Sequence, residues 1–481
     1  MSREQKHKPA RLSAAHRLSQ YLSQETVFSL TTAMGGPIVN VRISGEKALI
    51  IFQKLTGIKE IKHAQERKLI FTKIKDINKQ VIDEAMACFF LAPHSYTGEN
   101  TVEFYLHGSS YIVSKLFSEL CALGLRQALP GEFSFRAVRN GKMTLNQAEA
   151  VADLIASSNF SAHTLALEKI SGSLGLCLNE IAQNLKHLAA MGELSIDFSD
   201  QDVNEIGLAR LKEKIPAIME KLLQLKNSFE RGNRIQDGIP VAFIGLPNAG
   251  KSSFFNALLG EDRSIVSEIS GTTRDIVKET LALHGEKTSV TLRLMDTAGL
   301  RKSVGKVEKL GVQRTHLAGK EAELILLIVD VSISFAALKK EWGKICSPNK
   351  KTLGILTKCD LVKEERISVL KKQLIKTFKV PHWLKTSALT GEGISDASQE
   401  IVRFCERFVF RDPGEVLLTR FDHLEAVSEC IDHLKRATQV QESDLFAADL
   451  RHALNSLNTL IGETLPEDIL EKIFSEFCIG K

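Results

Sequence analysis

Residues 245–253 read GLPNAGKSS, which fits the spacing G-x-x-x-x-G-K-[ST]. The apolar run IPVAFIG leads into them and KSSFFNALLG continues with helical character. A phosphate-binding loop needs that strand–loop–helix setting, because its glycines let successive backbone N–H groups curl toward an anion. Lys251 would neutralise the β and γ phosphates. Ser252 would offer its hydroxyl to Mg²⁺, with Asn248, Ala249, Gly250 and Ser253 completing the cradle.

Later segments follow in matching order. DTAG (296–299) closes a strand, so Asp296 reaches Mg²⁺ through water and Gly299 reaches the γ-phosphate, with Thr297 and Ala298 between them. TKCD (357–360) follows another strand. Its Asp360 can accept from guanine N1–H and the exocyclic amine, a pair that adenine lacks, with Lys358 beside it. SAL (387–389) presents Ser387 and Ala388, whose backbone N–H groups suit guanine O6. The set selects GTP. Thr357 stands where asparagine is usual, so the sequence predicts retained base selection with a weaker tether to the phosphate loop. SGTTRD (270–275) supplies Thr273 to the Mg²⁺ shell, as a switch threonine does.

Hydrolysis needs a group that orients water. The residue after DTAG is Leu300, which cannot hold one, so the polar group must come from elsewhere. Glu308 lies in the same segment and is a candidate; the plainer reading is a solvent-facing helical glutamate. No arginine finger is identifiable. Asn248, inside the loop, suits a monovalent cation at the position an arginine would fill.

The elements that must carry these residues form an α/β segment over 236–404, with strands at 239–245, 289–295, 322–330 and 351–357. It interrupts a helical region, residues 142–235 and 405–481. The first helical part opens at Thr144 and Gln147 in capping-box spacing. Ahead of it, residues 25–141 mix strands (38–45, 81–92, 100–108) with helices (46–57, 110–124) that end in glycine.

The longest apolar run, LILLIV at 324–329, is of strand length, so no transmembrane segment is expected. None of the eight cysteines forms a C-x-x-C pair, which excludes zinc-ribbon and dithiol redox spacing and suits a reducing compartment. A net charge of +5 permits a nucleic-acid partner without arguing for one. Residues 1–24 carry Lys6, Lys8, Arg11 and Arg17 against Glu4 and read as an N-terminal extension; the alternative is a mitochondrial presequence. The expected location is the cytoplasm, with the mitochondrial matrix as the alternative.

PHSYTGENTVEFYLHG, PGEFSFRAVRNGKMTLNQAEAVADLI, GLPNAGKSSFFNALLG, SGTTRD, DTAGLR and the terminal EDILEKIFSEFCIGK together resemble the MnmE (TrmE) family of tRNA-modification GTPases, over nearly the whole chain beyond its first two dozen residues. The resemblance implies a multidomain α/β plus α protein. Its parts are an N-terminal α/β folate-binding-like and dimerisation domain, a discontinuous helical domain and an inserted Ras-like P-loop G domain. It implies a homodimer whose G domains meet when K⁺ binds, with K⁺ ligated by Asn248 and by backbone around Ser267, Ile269 and Thr272. It gives Glu308 the water-orienting role. It implies a tetrahydrofolate derivative held by Arg42, Glu103, Lys142 and Lys481; the cations suit a folate carboxylate and Glu103 the donor edge of a pterin. The implied reaction installs an aminomethyl-type group at C5 of the wobble uridine of tRNA, with a flavoprotein partner, MnmG (GidA), supplying FAD. Cys478 is then either a nucleophile or acid/base near the one-carbon chemistry, or a thiol that packs the tail. One departure stands at Met34, where a polar, glycine-rich run is expected before RISG, so the pocket rim differs.

Two other functions fit parts of the chain. A ribosome-assembly GTPase that binds RNA would account for GSLG (172–175) as a KH-type G-x-x-G loop, but that run lacks flanking strands and basic residues. A non-enzymatic nucleotide switch accommodates Leu300 and leaves FCIGK unexplained.

Overall fold

The computed structural model describes residues 19–197, 204–260, 280–285, 289–295, 321–342, 351–412, 414–462, 473–474, 477 and 480. The chain divides into two compact units, one of residues 1–149 with 458–481 and one of residues 150–457.

The first unit is built on a six-stranded sheet. Its strands are β1 (Val27–Leu30), β2 (Ile38–Ser44), β3 (Ile70–Lys75), β4 (Val81–Phe90), β5 (Thr101–His107) and β6 (Arg126–Gln127). They lie in the order β3-β4-β5-β2-β1-β6. Side chains alternate across a pleated sheet, so each strand sends every second residue to one face. Phe28, Val41, Ile43, Ala87, Phe104 and Leu106 meet helices α1 (Ala48–Thr56) and α2 (Ser110–Ala122) in one apolar core. The register then fixes the opposite face. Ser29 pairs with Arg42, Arg42 with Glu103 and Glu103 with Cys88, and Asn40 pairs with Tyr105 in the next row. Polar and ionisable groups line that face. Met34 is exposed in the loop between β1 and β2.

The described residues of the C-terminal segment, which the sequence assigns to the second helical part, pack within this first unit. Phe474 is fully buried and meets Phe135 of α3 (Glu132–Arg139) edge-on, with ring centroids 5.6 Å apart. The Phe477 ring packs tilted against Phe474, with centroids 5.1 Å apart. Gly480 adopts φ 101°, and a Cβ there would lie 1.8 Å from the carbonyl oxygen of Leu30. Only glycine fits such a seat.

Helix α4 (Leu145–Ala156) starts at the reciprocal capping box the sequence predicts. The Thr144 amide donates to Gln147 Oε1 at 2.9 Å, and the Gln147 amide donates to Thr144 Oγ1 at 3.3 Å. Helices α5 (Phe160–Ile170), α6 (Ser173–Asp197), α7 (Asn204–Lys212) and α8 (Ile215–Asp237) follow. GSLG forms a turn at Gly172, φ 94°, and the first residues of α6, which leaves no loop of KH type.

In chain order the second sheet falls between α8 and the helices α13 (Phe421–Gln439) and α14 (Ser443–Ile461). Its strands are β7 (Ile239–Gly245), β8 (Thr280–His284), β9 (Ser289–Met295), β10 (Leu324–Asp330), β11 (Thr352–Thr357) and β12 (Trp383–Lys385). The order is β12-β11-β10-β7-β9-β8, all parallel except β8, which runs antiparallel to β9. Central β10 is buried at every residue, which is why its sequence is apolar throughout up to its last residue, Asp330. Helices α9 (Lys251–Gly260), α10 (Phe335–Trp342), α11 (Glu364–Phe378) and α12 (Ile394–Val409) complete this domain. In open α/β sheets, ligands bind beyond the carboxyl ends of the strands. The loops after Gly245, Asp330, Thr357 and Lys385 all leave from that edge.

Candidate functional site: a nucleotide pocket and a polar sheet face

At the carboxyl edge of the second sheet the chain leaves β7 at Gly245, turns through left-handed Asn248 (φ 60°) and Gly250 (φ 86°), and enters α9 at Lys251. The Lys251 ammonium donates to the carbonyl oxygens of Gly245 at 2.9 Å and Leu246 at 3.0 Å. Among the described residues no carboxylate pairs with it, and burial pushes its pKa down. A half-buried cation held only by carbonyls is poised for an anionic ligand. Ser252 follows at the second position of the helix.

The guanine-reading segments are tied to this loop. Buried Thr357 places its hydroxyl 2.6 Å from the carbonyl oxygen of Ala249 and 3.2 Å from that of Val329. The weaker tether expected at this position is therefore a direct bond to the phosphate loop. Lys358, at φ 60°, donates to the carbonyl of Asn248 at 3.0 Å and to Asp330 Oδ2 at 2.6 Å. Burial pushes the Asp330 carboxyl up, but Lys358 and the Ser332 hydroxyl and amide outweigh it and hold the group below its usual range. Asp330 and Ser332 are functional neighbours that motif reading missed; the signal was a lone carboxylate at the end of LILLIVD. Asp360 is exposed and its Oδ1 accepts from the buried Ser387 hydroxyl at 2.6 Å. Ser387 is pinned in turn by its amide on the Glu392 carbonyl at 2.9 Å. Ala388 lies exposed beside it, and Ser253 is exposed on α9. The structure thus brings Thr357 and Lys358 directly against Asn248, Ala249 and Gly250 of the loop that leads into Lys251, and Asp360 against Ser387. Ser267, Ile269, Thr272, Thr273, Asp296, Thr297, Ala298, Gly299, Leu300 and Glu308 lie outside the described residues.

On the polar face of the first sheet, Arg42 and Glu103 form one cluster. Arg42 donates through Nε and Nη2 to Glu103 Oε1, both at 2.9 Å. Glu103 Oε2 accepts from Tyr105 OH at 2.6 Å and Asn40 Nδ2 at 3.2 Å. Burial pushes the Glu103 carboxyl up; Arg42, Tyr105 and Asn40 reverse that and hold it below the usual carboxylate range. Burial and the neighbouring Glu103 raise both the Tyr105 phenol and the Cys88 thiol. The Arg42 guanidinium sits 5.0 Å from the Tyr96 ring centroid and 5.4 Å from that of Phe133. Lys142 is exposed, and its stem crosses Gly98, two residues from Tyr96, with Cγ 3.1 Å from where a Gly98 Cβ would stand. Gly480 seats against Leu30, the neighbour of Ser29. Cys478 and Lys481 lie outside the described residues.

Two family models cover the chain: the GTP-binding protein TrmE N-terminus matches residues 26–142, and the MnmE helical domain matches residues 145–478. The tRNA modification GTPase MnmE of Bacteroides thetaiotaomicron is 35% identical over 473 residues, 96% of this chain and 100% of that protein. The chain belongs to the MnmE family of tRNA modification GTPases. The MnmE of Psychrobacter sp. is likewise 35% identical over 470 residues, 95% of this chain and 99% of its own. That of Christiangramia forsetii is 34% identical over 475 residues, with 95% and 99% covered. The span of the MnmE helical model encloses the second sheet, in keeping with an inserted G domain. Among the described residues no helix is long and apolar enough to cross a membrane.

Proposed function

We propose that this chain is a GTP-hydrolysing enzyme of tRNA modification. With a flavoprotein partner of the MnmG (GidA) type, which brings FAD, it installs an aminomethyl-type group at C5 of the wobble uridine, using a folate one-carbon unit. It acts as a cytoplasmic homodimer on tRNA. The observation that carries the nucleotide half is the bond between its two ends, from the Thr357 hydroxyl to the Ala249 carbonyl at 2.6 Å.

In this reading Asp360 accepts from the guanine N1–H and amine, while Ser387 and Ala388 face O6. Lys251 exchanges two carbonyl partners for the phosphates. Phosphoryl transfer is mostly positioning and charge stabilisation, so these contacts do most of the protein's share. Ser252 at the start of α9 offers the hard oxygen donor that Mg²⁺ favours. With Thr273, and Asp296 through water, it would hold the ion, which supplies charge neutralisation on the phosphates. Asn248, Ser267, Ile269 and Thr272 would hold K⁺, and Glu308 orients the attacking water in place of Leu300. The folate derivative falls to Arg42, Glu103, Lys142 and Lys481. Glu103, kept ionised by Arg42, has the acceptor chemistry of a pterin's donor edge, and Cys478 serves that site from the tail.

The test is nucleoside mass analysis of tRNA from a strain in which this chain replaces its own MnmE-family protein. C5-modified wobble uridine, lost on deletion and restored by the chain, supports the reading. Unmodified tRNA together with accumulating ribosomal precursors would move the protein to ribosome assembly.

A further inference from the structure

The polar face of the first sheet holds two atoms that its own residues leave unsatisfied. The Asn40 side-chain carbonyl oxygen and the Ser29 hydroxyl are both buried and make no hydrogen bond among the described residues. Buried polar groups in folded proteins are almost always paired, and an orphan asks what supplies its partner. The amide orientation of Asn40 is not arbitrary. Its Nδ2 donates to Glu103 Oε2 at 3.2 Å, and a flipped amide would set oxygen against carboxylate. Oδ1 is therefore an acceptor with no donor.

Both atoms share a face with the Arg42–Glu103 pair. Ser29 stands opposite Arg42 in the ladder, and Asn40 precedes Arg42 by two positions on the same strand. The Glu103 carboxylate is fully subscribed, with four donors from Arg42, Tyr105 and Asn40, about the number a carboxylate can accept. A ligand that offers two adjacent N–H groups must therefore displace a donor from Glu103, and it finds a second, vacant acceptor next door at Asn40.

We propose that Asn40 and Ser29 are ligand-reading residues of this pocket: the Asn40 carbonyl and the Glu103 carboxylate together accept the adjacent ring N–H and exocyclic amine of a 2-amino-4-oxo-pyrimidine ring, with Ser29 bonding a further ring polar atom. The proposal rests on the folate reading above and makes the pterin ring of a reduced folate the ligand. Guanine offers the same donor pair, so the two sources are tested separately. Arg42 gives up part of its pairing with Glu103 as the ring binds. The pocket's own ion pair is thus a resting partner that the ligand exchanges.

The experiment measures binding of 5-formyltetrahydrofolate and, in parallel, guanosine to the full-length chain by calorimetry. The variants are Asn40→Leu, Asn40→Ala, Ser29→Ala and Glu103→Gln, with circular dichroism to verify folding. Asn40→Leu and Asn40→Ala should each weaken folate binding by about tenfold or more, since a buried ring donor is left unpaired. Ser29→Ala should weaken it by about threefold to tenfold, a hydroxyl bond of ordinary strength. Melting temperatures of the ligand-free Asn40 and Ser29 variants should stay near wild type, while the upward shift given by folate shrinks. Wild-type folate affinity in both Asn40 variants, with binding lost in Glu103→Gln, overturns the Asn40 assignment alone. Absence of folate binding by the wild-type chain overturns the folate reading and this proposal together. Guanosine bound in place of folate, and sensitive to Asn40, overturns the choice of ligand.

Discussion

Asp360 makes only one side-chain hydrogen bond among those described, from Ser387, and its exposed carboxylate faces outward from the end of β11. On the proposed reading, replacing it with asparagine keeps the shape but would turn two charge-assisted bonds to guanine into a mismatched pair. Asp360→Asn should weaken GTP binding by more than about tenfold, measured by titration with a fluescent GTP analogue. Unchanged discrimination between GTP and ATP would place base selection elsewhere. A pH argument belongs to Glu103. Its ordinary value is 4.5, and in the folded chain it is lower because Arg42, Tyr105 and Asn40 outweigh burial. A carboxylate with a depressed folded pKa adds stability that is fully present above the unfolded value and is lost as pH falls through the folded one. The stability gap between wild type and Glu103→Gln should thus be widest above pH 4.5 and narrow as pH drops below it. Urea melts across pH 3 to 7 measure this, and a gap that does not change with pH would mean that the pair carries no linkage.

The elements most readable in the sequence were those whose own residues decide them. The strands over Ile239–Gly245 and Ser289–Met295 match their apolar runs end to end, and the Thr144–Gln147 capping box forms as its spacing requires. The tether at Thr357 was harder to judge, because its strength depends on how near the phosphate loop comes. Gly250 lets that loop pass close enough that a Cβ there would sit 3.4 Å from Thr357, so a short side chain suffices. Two features were beyond reach. The Arg42–Glu103 pairing needs the β2–β5 register, and the seat of the tail needs the tertiary fold. Each residue alone looks like a surface charge or a fraying end. The seat makes its own prediction. Gly480→Ala would push a methyl to within 1.8 Å of the Leu30 carbonyl and force alanine to φ 101°. The terminal segment should lose its place beside β1, wobble modification should fall at least about tenfold, and GTP hydrolysis should stay within about twofold of wild type. Nucleoside analysis beside a phosphate-release assay reads both; modification at wild-type levels would show that the seat is dispensable.

At the scale of the whole molecule, the two candidate sites fall in different compact units. Every nucleotide-site position lies within residues 150–457, and Arg42, Glu103, Lys142, Cys478 and Lys481 all lie within residues 1–149 and 458–481. On the proposed reading, mutations should therefore separate GTP hydrolysis from folate binding, while modification would draw on both. Cys478 gives the sharpest case. Phe474, Phe477 and Gly480, the described residues nearest to it in sequence, are seated within the first unit. Serine keeps its size and a polar atom but has a far higher pKa, so it fails wherever a thiolate is needed. If Cys478 serves the one-carbon chemistry, Cys478→Ser should remove most wobble modification, leave GTP hydrolysis within about twofold of wild type, and leave reduced-folate binding nearly intact. A thiol that only packs the tail predicts a different pattern, in which folate binding and melting temperature fall and modification falls only in proportion. The measurement is nucleoside analysis of tRNA from cells carrying only the serine variant, alongside folate calorimetry on the purified chain. Full modification in those cells would falsify the catalytic role and leave Cys478 as part of the packing that seats Gly480.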